Sequence, residues 1–345
     1  MKMITYLLAF LFCILSRAVP VYSAGAEDLD DFRIKRLVSQ LYEKQSLVDA
    51  QRGLSSYGSD ATKYVLPVLK DKSCESARVA ALRVIAASKD SSAEEDVIAL
   101  LSDRAPRIRQ EAARTLTVIA SDDSAVDVLI SLLKDYQAGV RYHAMTALAK
   151  VADDKKMDIF IKGLSDPDRR VRAAAIIALG DRGNEKALPY FEPLLNDFDT
   201  NVRLEVVRAL PKINTEECLP LLAKALDDPD INVRILTLNK TGEMDAKGAE
   251  DILIRAVGNG DPRIVHQAIC ALAENGSDQA VDIAREHLED EHLAIKLTAI
   301  EILGSMGGKS EKPLLTALLE AESSQVRQKA KEALEKVDGN YDHKK

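Results

Sequence analysis

The sequence repeats with a period of 31 residues, and this period constrains the fold more than any other feature. The repeat is clearest in "DPDRRVRAAAIIAL" (166–179), "DFDTNVRLEVVRAL" (197–210) and "DPDINVRILTLNKT" (228–241). One basic residue keeps the same place in each copy, with a single interval of 32: Arg78, Arg109, Arg141, Arg172, Arg203, Arg234, Lys296 and Arg327. A fixed period of this length is the signature of a repeat architecture.

A second series, of aspartates, follows the same period and ends the apolar segments: Asp71, Asp103, Asp135, Asp166, Asp197, Asp228 and Asp290. Apolar residues between these aspartates recur at steps of three and four, which is helical periodicity. Each repeat is therefore predicted to hold a longer helix A, a turn, a shorter helix B and a turn with the aspartate. We expect ten A helices and nine B helices, preceded by a B-like helix over about 29–40.

A single helical pair of this size cannot bury enough apolar surface to offset its loss of conformational entropy. Stacked pairs share a continuous core, so neighbouring repeats stabilise one another. Most A helices carry alanine three places after the basic position, where a small side chain lets adjacent A helices approach closely: Ala50, Ala81, Ala112, Ala144, Ala175, Ala268, Ala299 and Ala330.

These features resemble the HEAT-repeat family, in particular the short HEAT-like repeats of the phycobilisome lyase class, over roughly 42–337. The period is shorter than that of long HEAT repeats. The resemblance implies an all-α fold, a right-handed α-α superhelix (solenoid) of about nine to ten helical hairpins. It also implies that B helices line the concave side.

The aspartate and the arginine stand six residues apart across five turns: Asp103 and Arg109, Asp135 and Arg141, Asp166 and Arg172, Asp197 and Arg203, Asp228 and Arg234. In HEAT-like families such residues form a ladder that ties neighbouring turns together, and the resemblance implies the same ladder here. Where Val265 replaces the arginine, Asn259 replaces the aspartate six residues before it, which we interpret as the coupled loss of one pair.

The first residues predict export. "ITYLLAFLFCIL" (4–15) has the length of a signal-peptide core, and "AGA" (24–26) offers small residues for cleavage after Ala26 or Ala24. We expect a signal peptide over 1–26, a capping helix over 27–41, the repeats over 42–337 and a disordered tail over 338–345. An uncleaved anchor is the alternative. The expected location is periplasmic or secreted, with no transmembrane segment in the mature chain.

The charge of the chain argues against nucleic acid as a partner, and its cysteines argue against a disulfide framework. The net charge is −8, and removal of 1–26 takes away Lys2 and Arg17, which leaves 45 basic against 55 acidic residues, or −10. An acidic chain of this kind is not expected to bind nucleic acid. Cys74, Cys218 and Cys270 do not form a disulfide framework, and whether any two of them pair stays open.

No catalytic motif is found. HExxH, CxxC, a glycine-rich phosphate loop and G-x-S-x-G are all absent from the sequence. The histidines of "EHLEDEH" (286–292) are five residues apart, which is poor geometry for one helix face. We therefore expect no enzyme activity, no cofactor and no metal site.

A binding surface is predicted on the B helices. Five places before the turn aspartate, at a nominally outward position, stand the members of what we term the aliphatic row: Leu66, Ile98, Ile130 and Ile161. Acidic residues stand three places earlier, at Glu95, Asp127 and Asp158. The row is either an apolar furrow edged with acid, suited to an amphipathic or basic peptide, or a set of side chains that pack between neighbouring B helices.

The sequence thus favours a non-catalytic scaffold or adaptor of the bacterial cell envelope, a monomer that binds a protein or peptide. One alternative is an accessory subunit that helps to assemble or regulate an envelope enzyme. A HEAT-like lyase-type enzyme is the other.

Overall fold

The computed structural model describes residues 26–153, 156–213, 216–245 and 248–339. The predicted signal peptide lies outside the described residues except for Ala26, and the predicted tail lies outside them except for Asp338 and Gly339. The chain divides into two compact units, Met1–Leu132 and Leu133–Lys345.

The first unit contains seven of the described helices. In chain order they are α1 Ala26–Gln40, α2 Leu47–Ser56, α3 Thr62–Lys70, α4 Glu75–Ser88, α5 Glu94–Ala99, α6 Pro106–Ile119 and α7 Val126–Leu132. The helix α1 lies at the position expected for the capping helix, residues 27–41. After it, the even-numbered helices are A helices and the odd-numbered ones are B helices.

The second unit continues the alternation from α8 to α20. Its helices are α8 Ala138–Val151, α9 Met157–Gly163, α10 Arg169–Asp181, α11 Leu188–Phe191, α12 Thr200–Ile213, α13 Leu219–Ala225, α14 Ile231–Gly242, α15 Ala249–Val257, α16 Pro262–Glu274, α17 Gln279–Glu286, α18 Leu293–Ser305, α19 Lys312–Ala317 and α20 Ser324–Gly339. The last helix continues two residues past the predicted end of the repeats, to Gly339.

Local sequence sets where the A helices begin. Asp168, Asp230 and Asp261 precede α10, α14 and α16, and each carboxylate accepts a hydrogen bond from the backbone N–H two residues ahead. Pro106 starts α6 at the position where a missing N–H costs nothing. Proline also shortens a B helix, because α11 ends at Phe191 and a 3-10 turn continues from Pro193 to Asn196.

Within each unit, successive A helices pack against one another, and B helices pack on the A helices that flank them. The alanines predicted to allow this approach are fully buried at every described position, from Ala50 to Ala330. Three interfaces are closer still. A Cβ built on Gly180 or Gly304 would lie 2.7 or 2.6 Å from the facing alanine 29 residues ahead, so a larger residue would force the helices apart; the same distance at Gly242 is 3.0 Å, a tight contact.

The predicted all-α solenoid class is confirmed, since helical hairpins stack within each unit and the described residues contain no β-strand. The predicted ten A and nine B helices correspond to the even-numbered helices α2–α20 and the odd-numbered helices α3–α19. The cores run along the A–B interfaces, which places the turns and the outer faces of the B helices at the surface.

Candidate functional site

Three arginines of the second unit bind aspartate in the same geometry. The Nε and Nη2 atoms of Arg141, Arg172 and Arg203 donate to both carboxylate oxygens of an aspartate 25 residues ahead, at 2.7–3.0 Å. Those partners are Asp166, Asp197 and Asp228. We call each arginine with its aspartate a rung. Two parallel N–H···O bonds of this kind are strong and fix the relative orientation of the two groups.

The third nitrogen of each guanidinium closes the turn behind it. Nη1 of Arg172 donates to the backbone carbonyls of Asp166 and Pro167, at 2.8 and 3.2 Å. Nη1 of Arg141 and of Arg203 donates to the carbonyl of the aspartate six residues before it, at 2.9 Å in each case. A rung therefore joins two successive turns of the stack.

This geometry corrects the pairing expected from the sequence. The side chain of the aspartate six residues before the arginine is not its carboxylate partner, since that aspartate offers only its carbonyl. In Asp166, for example, Oδ1 accepts a hydrogen bond from the backbone N–H of Asp168 at 2.8 Å. Both carboxylate oxygens of Asp166 accept hydrogen bonds from Arg141, the arginine of the preceding repeat. The stack places the next turn within reach, so the partner lies one period of 31 residues further on, at a separation of 25.

The side chains of the three complete rungs of the second unit are at most 12% exposed. The side chains of Arg172 and Asp197 are each 6% exposed, and the Phe198 ring centroid lies 4.8 Å from the guanidinium carbon. The hydrogen bond from each arginine to its aspartate raises the pKa of Arg141 and Arg203 above the usual arginine value. The three arginines in "DPDRRVR" thus do not form one cationic patch, because Arg172 is engaged in the stack and Arg169 and Arg170 pair with Asp199 and Asp168.

One rung of the first unit differs from this pattern. Nη2 of Arg78 binds Asp103 at 2.6 Å, but its Nε donates to the carbonyl of Leu69 at 2.8 Å. Arg109 donates from Nη1 to the carbonyls of Asp103 and Arg104, at 2.8 and 3.1 Å. In the first unit, Arg109 thus donates to the carbonyls of the turn behind it as in the second unit, whereas Arg78 binds only one oxygen of its aspartate.

Two consecutive rungs are incomplete, which corrects the interpretation of Val265 and Asn259 as one lost pair. Asn259 stands where the carboxylate partner of Arg234 belongs, and Val265 stands where the arginine partner of Asp290 belongs. Nη2 of Arg234 is 4.0 Å from Asp261, and its Nε is buried with no hydrogen-bond partner among the described residues. Asp290 keeps the ladder position but binds histidines instead of an arginine.

The aliphatic row lies on the outer faces of the B helices as partly buried side chains. In the first unit Leu66, Ile98 and Ile130 lie on α3, α5 and α7, and Glu95 and Asp127 beside them are exposed. In the second unit Ile161 on α9 is partly buried and Asp158 is exposed. Each aliphatic side chain thus contacts its neighbours and still presents part of its surface to solvent.

A profile of HEAT repeats matches the chain at residues 62–139, 126–199, 157–235, 190–270, 219–292 and 249–335. The chain belongs to the HEAT-repeat family. The short HEAT-like repeats of the phycobilisome lyase class are closely related to that family. No curated protein matches the chain in sequence.

Two solved structures are similar to these HEAT repeats at low sequence identity. One is the crystal structure of an engineered protein, 20% identical, with a TM-score of 0.44, covering 88% of this chain and 98% of the other. The second is the X-ray structure of YibA of Escherichia coli, 19% identical, with a TM-score of 0.46, covering 84% of this chain and 96% of the other.

Histidine and cysteine side chains of the HEAT repeats do not assemble into a metal centre in the described part of the chain. His287 follows α17 as its C-cap and is partly buried, and His292 precedes α18. In the described part of the chain, no disulfide joins Cys74, Cys218 and Cys270, and burial raises the pKa of Cys270. Across the described ranges, none of the helices is both long and apolar enough to cross a bilayer.

Two other links between neighbouring HEAT repeats cannot be predicted from the repeat pattern. Arg285 on α17 binds both carboxylate oxygens of the buried Glu311, at 2.9 and 2.6 Å. Nη2 of Arg182 donates to the carbonyls of Ala149 and Ala152 at the end of the preceding A helix, at 3.1 and 3.0 Å. Neither link recurs in every repeat, so the period carries no signal for them.

Proposed function

We propose that this HEAT-repeat chain is a non-catalytic scaffold or adaptor that binds a protein or peptide along the aliphatic row of its first unit. The observation that carries the proposal is the partial burial of Leu66, Ile98 and Ile130 at one outward position of three successive B helices. Soluble proteins rarely expose a continuous line of aliphatic side chains unless it serves to bind a partner.

Charge beside the row indicates the kind of partner. Glu95 and Asp127 are exposed, each three residues before a member of the row. Together with the net charge of −8, these carboxylates favour an amphipathic segment with basic residues along the edge of its apolar face.

We propose export as the route that brings the chain to this partner, through cleavage of residues 1–26 and residence in the periplasm or outside the cell. The apolar run at 4–15 and the small residues at 24–26 support it. The exported chain is then expected to start at Glu27, which N-terminal sequencing of the mature protein would establish.

Replacing both isoleucines of the row tests the binding proposal. The double variant Ile98→Asp and Ile130→Asp is expected to lose the partner that the wild-type mature chain retains from an envelope extract, because two carboxylates disrupt apolar contact. Partial burial predicts only a modest loss of stability, so circular dichroism and the Tm should stay close to those of the control.

The matched control changes two exposed aliphatic side chains of A helices, Val118→Asp and Ile177→Asp, and should keep the partner. If the row variant instead unfolds, or its Tm falls far below that of the control, the row belongs to the core and the proposal fails. Mass spectrometry of the retained material distinguishes an adaptor, with several clients, from an accessory subunit, with one stoichiometric partner.

A further inference from the structure

The incomplete rung at Val265 leaves a pocket in the second unit. Its volume is about 320 Å³, and it opens to solvent between the turn before α16 and the turn before α18. Its lining includes Gly258, Gly260, Val265, His287, Asp290 and His292. In each complete rung of this unit, the corresponding place is filled by the guanidinium of the A-helix arginine.

The acceptors that hold a guanidinium in the complete rungs are still present around this pocket. Asp290 occupies the place of Asp197 and Asp228, and its side chain is 16% exposed. Asn259 and Gly260 line the pocket at six and five residues before Val265, where Asp166 and Pro167 offer their carbonyls to Arg172. Val265 is buried and has no side-chain donor, so no guanidinium from this chain's own A helix reaches these acceptors.

Two histidines partly replace the missing donors. Nδ1 of His287 lies 2.9 Å from one oxygen of Asp290, and Nδ1 of His292 lies 3.2 Å from the other, which also accepts the His292 backbone N–H at 2.8 Å. Burial alone would raise the pKa of Asp290, but the hydrogen bonds from His287 and His292 outweigh it and lower that pKa, so the carboxylate is ionised at neutral pH.

We propose that this pocket binds a guanidinium group, the side chain of an arginine supplied by a partner protein, which completes the rung from outside. A guanidinium is planar and carries a fixed fork of N–H donors, which matches a carboxylate flanked by backbone carbonyls. The ammonium of lysine is a point charge that cannot make the two parallel bonds. This site lies in the second unit and does not depend on the aliphatic row of the first.

The probe for the test is N-acetyl-arginine amide, with N-acetyl-lysine amide as its charge-matched competitor. Titration into the mature chain, followed by NMR of the His287 and His292 side chains, should give at least about tenfold tighter binding of the arginine compound, since only its guanidinium can bind both carboxylate oxygens at once. Equal affinity for the two compounds would show general attraction to an acidic protein and would overturn the proposal.

Three variants separate the pocket from its surroundings. Asp290→Asn removes the carboxylate and should weaken arginine-amide binding at least about tenfold, and Val265→Arg fills the pocket from within and should abolish it while raising the Tm. Glu289→Gln removes the same charge from an adjacent, exposed side chain outside the pocket and should leave binding unchanged. If Val265→Arg does not fold, the contrast between Asp290→Asn and Glu289→Gln decides alone, and equal weakening in both refutes the site.

Discussion

A single guanidinium explains why arginine recurs at one place in the repeat. Arg172 uses Nε and Nη2 on Asp197 and Nη1 on two backbone carbonyls, so each nitrogen of a group that is costly to bury donates at least one hydrogen bond. Lysine has the charge but lacks the planar fork that reaches both carboxylate oxygens and the turn behind. The charge in these turns therefore serves the stack.

The aspartates that begin the A helices act at the same scale. Asp168 caps α10 and binds both Nε and Nη2 of Arg170, at 3.0 and 2.9 Å. The hydrogen bonds from Arg170 lower the pKa of Asp168 from its ordinary value of 3.8 to about 2. A carboxyl with a depressed pKa stabilises the fold at pH values above its unfolded pKa, and that contribution is lost as the pH falls through the folded value.

We predict that Asp168→Asn lowers the free energy of unfolding by about 1 kcal/mol at pH 7, because asparagine keeps the cap but not the ion pair. The figure is modest since the Arg170 side chain is 54% exposed. The difference from wild type should shrink between about pH 4 and pH 2, as measured by urea unfolding followed by circular dichroism.

The comparison variant is Asp230→Asn, which changes the same kind of cap on α14 where the described residues give the aspartate no ion pair. This variant should leave the free energy of unfolding nearly unchanged at every pH. A cost of Asp168→Asn that stays constant down to pH 2 would contradict the depressed pKa as its source.

At the scale of elements, the contact between A helices depends on more than the alanine series. Sequence periodicity predicted the buried alanines correctly because they recur in nearly every repeat. It missed the pairs Gly180–Ala209, Gly242–Ala271 and Gly304–Ala333, because they join residues 29 apart and occur only at every second interface of the second unit. A spacing that differs from the period is visible only once the helices are stacked.

We predict that Gly304→Ala destabilises the chain by about 1–3 kcal/mol, although alanine is the better helix former by about 1 kcal/mol. The new Cβ would lie 2.6 Å from the Cα of Ala333, and the backbone of α20 must move to accommodate it. Thermal unfolding measures the effect.

Gly339→Ala provides the control, because that position in the last turn of α20 has open space around it. It is expected to be neutral or slightly stabilising. A gain in Tm for Gly304→Ala as well would mean that α18 and α20 do not approach as closely as the structure places them.

The ladder shows the same limit of sequence reasoning. Its residues were identified from their period, but their partners were assigned by nearness in sequence, at six residues, whereas stacking pairs them at 25. The aliphatic row was placed on the B helices by counting from the turn aspartates. Its partial burial depends on neighbouring helices, so it cannot be predicted from residue positions along a single helix. The pocket at Val265 also required the complete rungs beside it for comparison.

At the scale of the whole molecule, a repeat protein is stabilised by the interfaces between neighbouring repeats, so its weakest interfaces decide where it opens. In the second unit, two incomplete rungs are consecutive and both involve the repeat of α16: Arg234 lacks the aspartate 25 residues ahead, and Asp290 lacks the arginine 25 residues before it. Amide hydrogens of α16 should therefore exchange faster than those of α12, where Arg203 and Asp228 form a complete buried rung.

We predict that Asn259→Asp repairs one of these interfaces. The new carboxylate would stand 25 residues after Arg234 and accept from its buried, unpartnered Nε, a change that adds about 1–3 kcal/mol when a buried donor gains a charged acceptor. Hydrogen exchange in α14 and α16 should slow and the Tm should rise. Asn196→Asp adds the same charge at an exposed turn position and should do neither. If exchange slows equally in both variants, the gain comes from charge on the turns, and opening does not begin at the incomplete rungs.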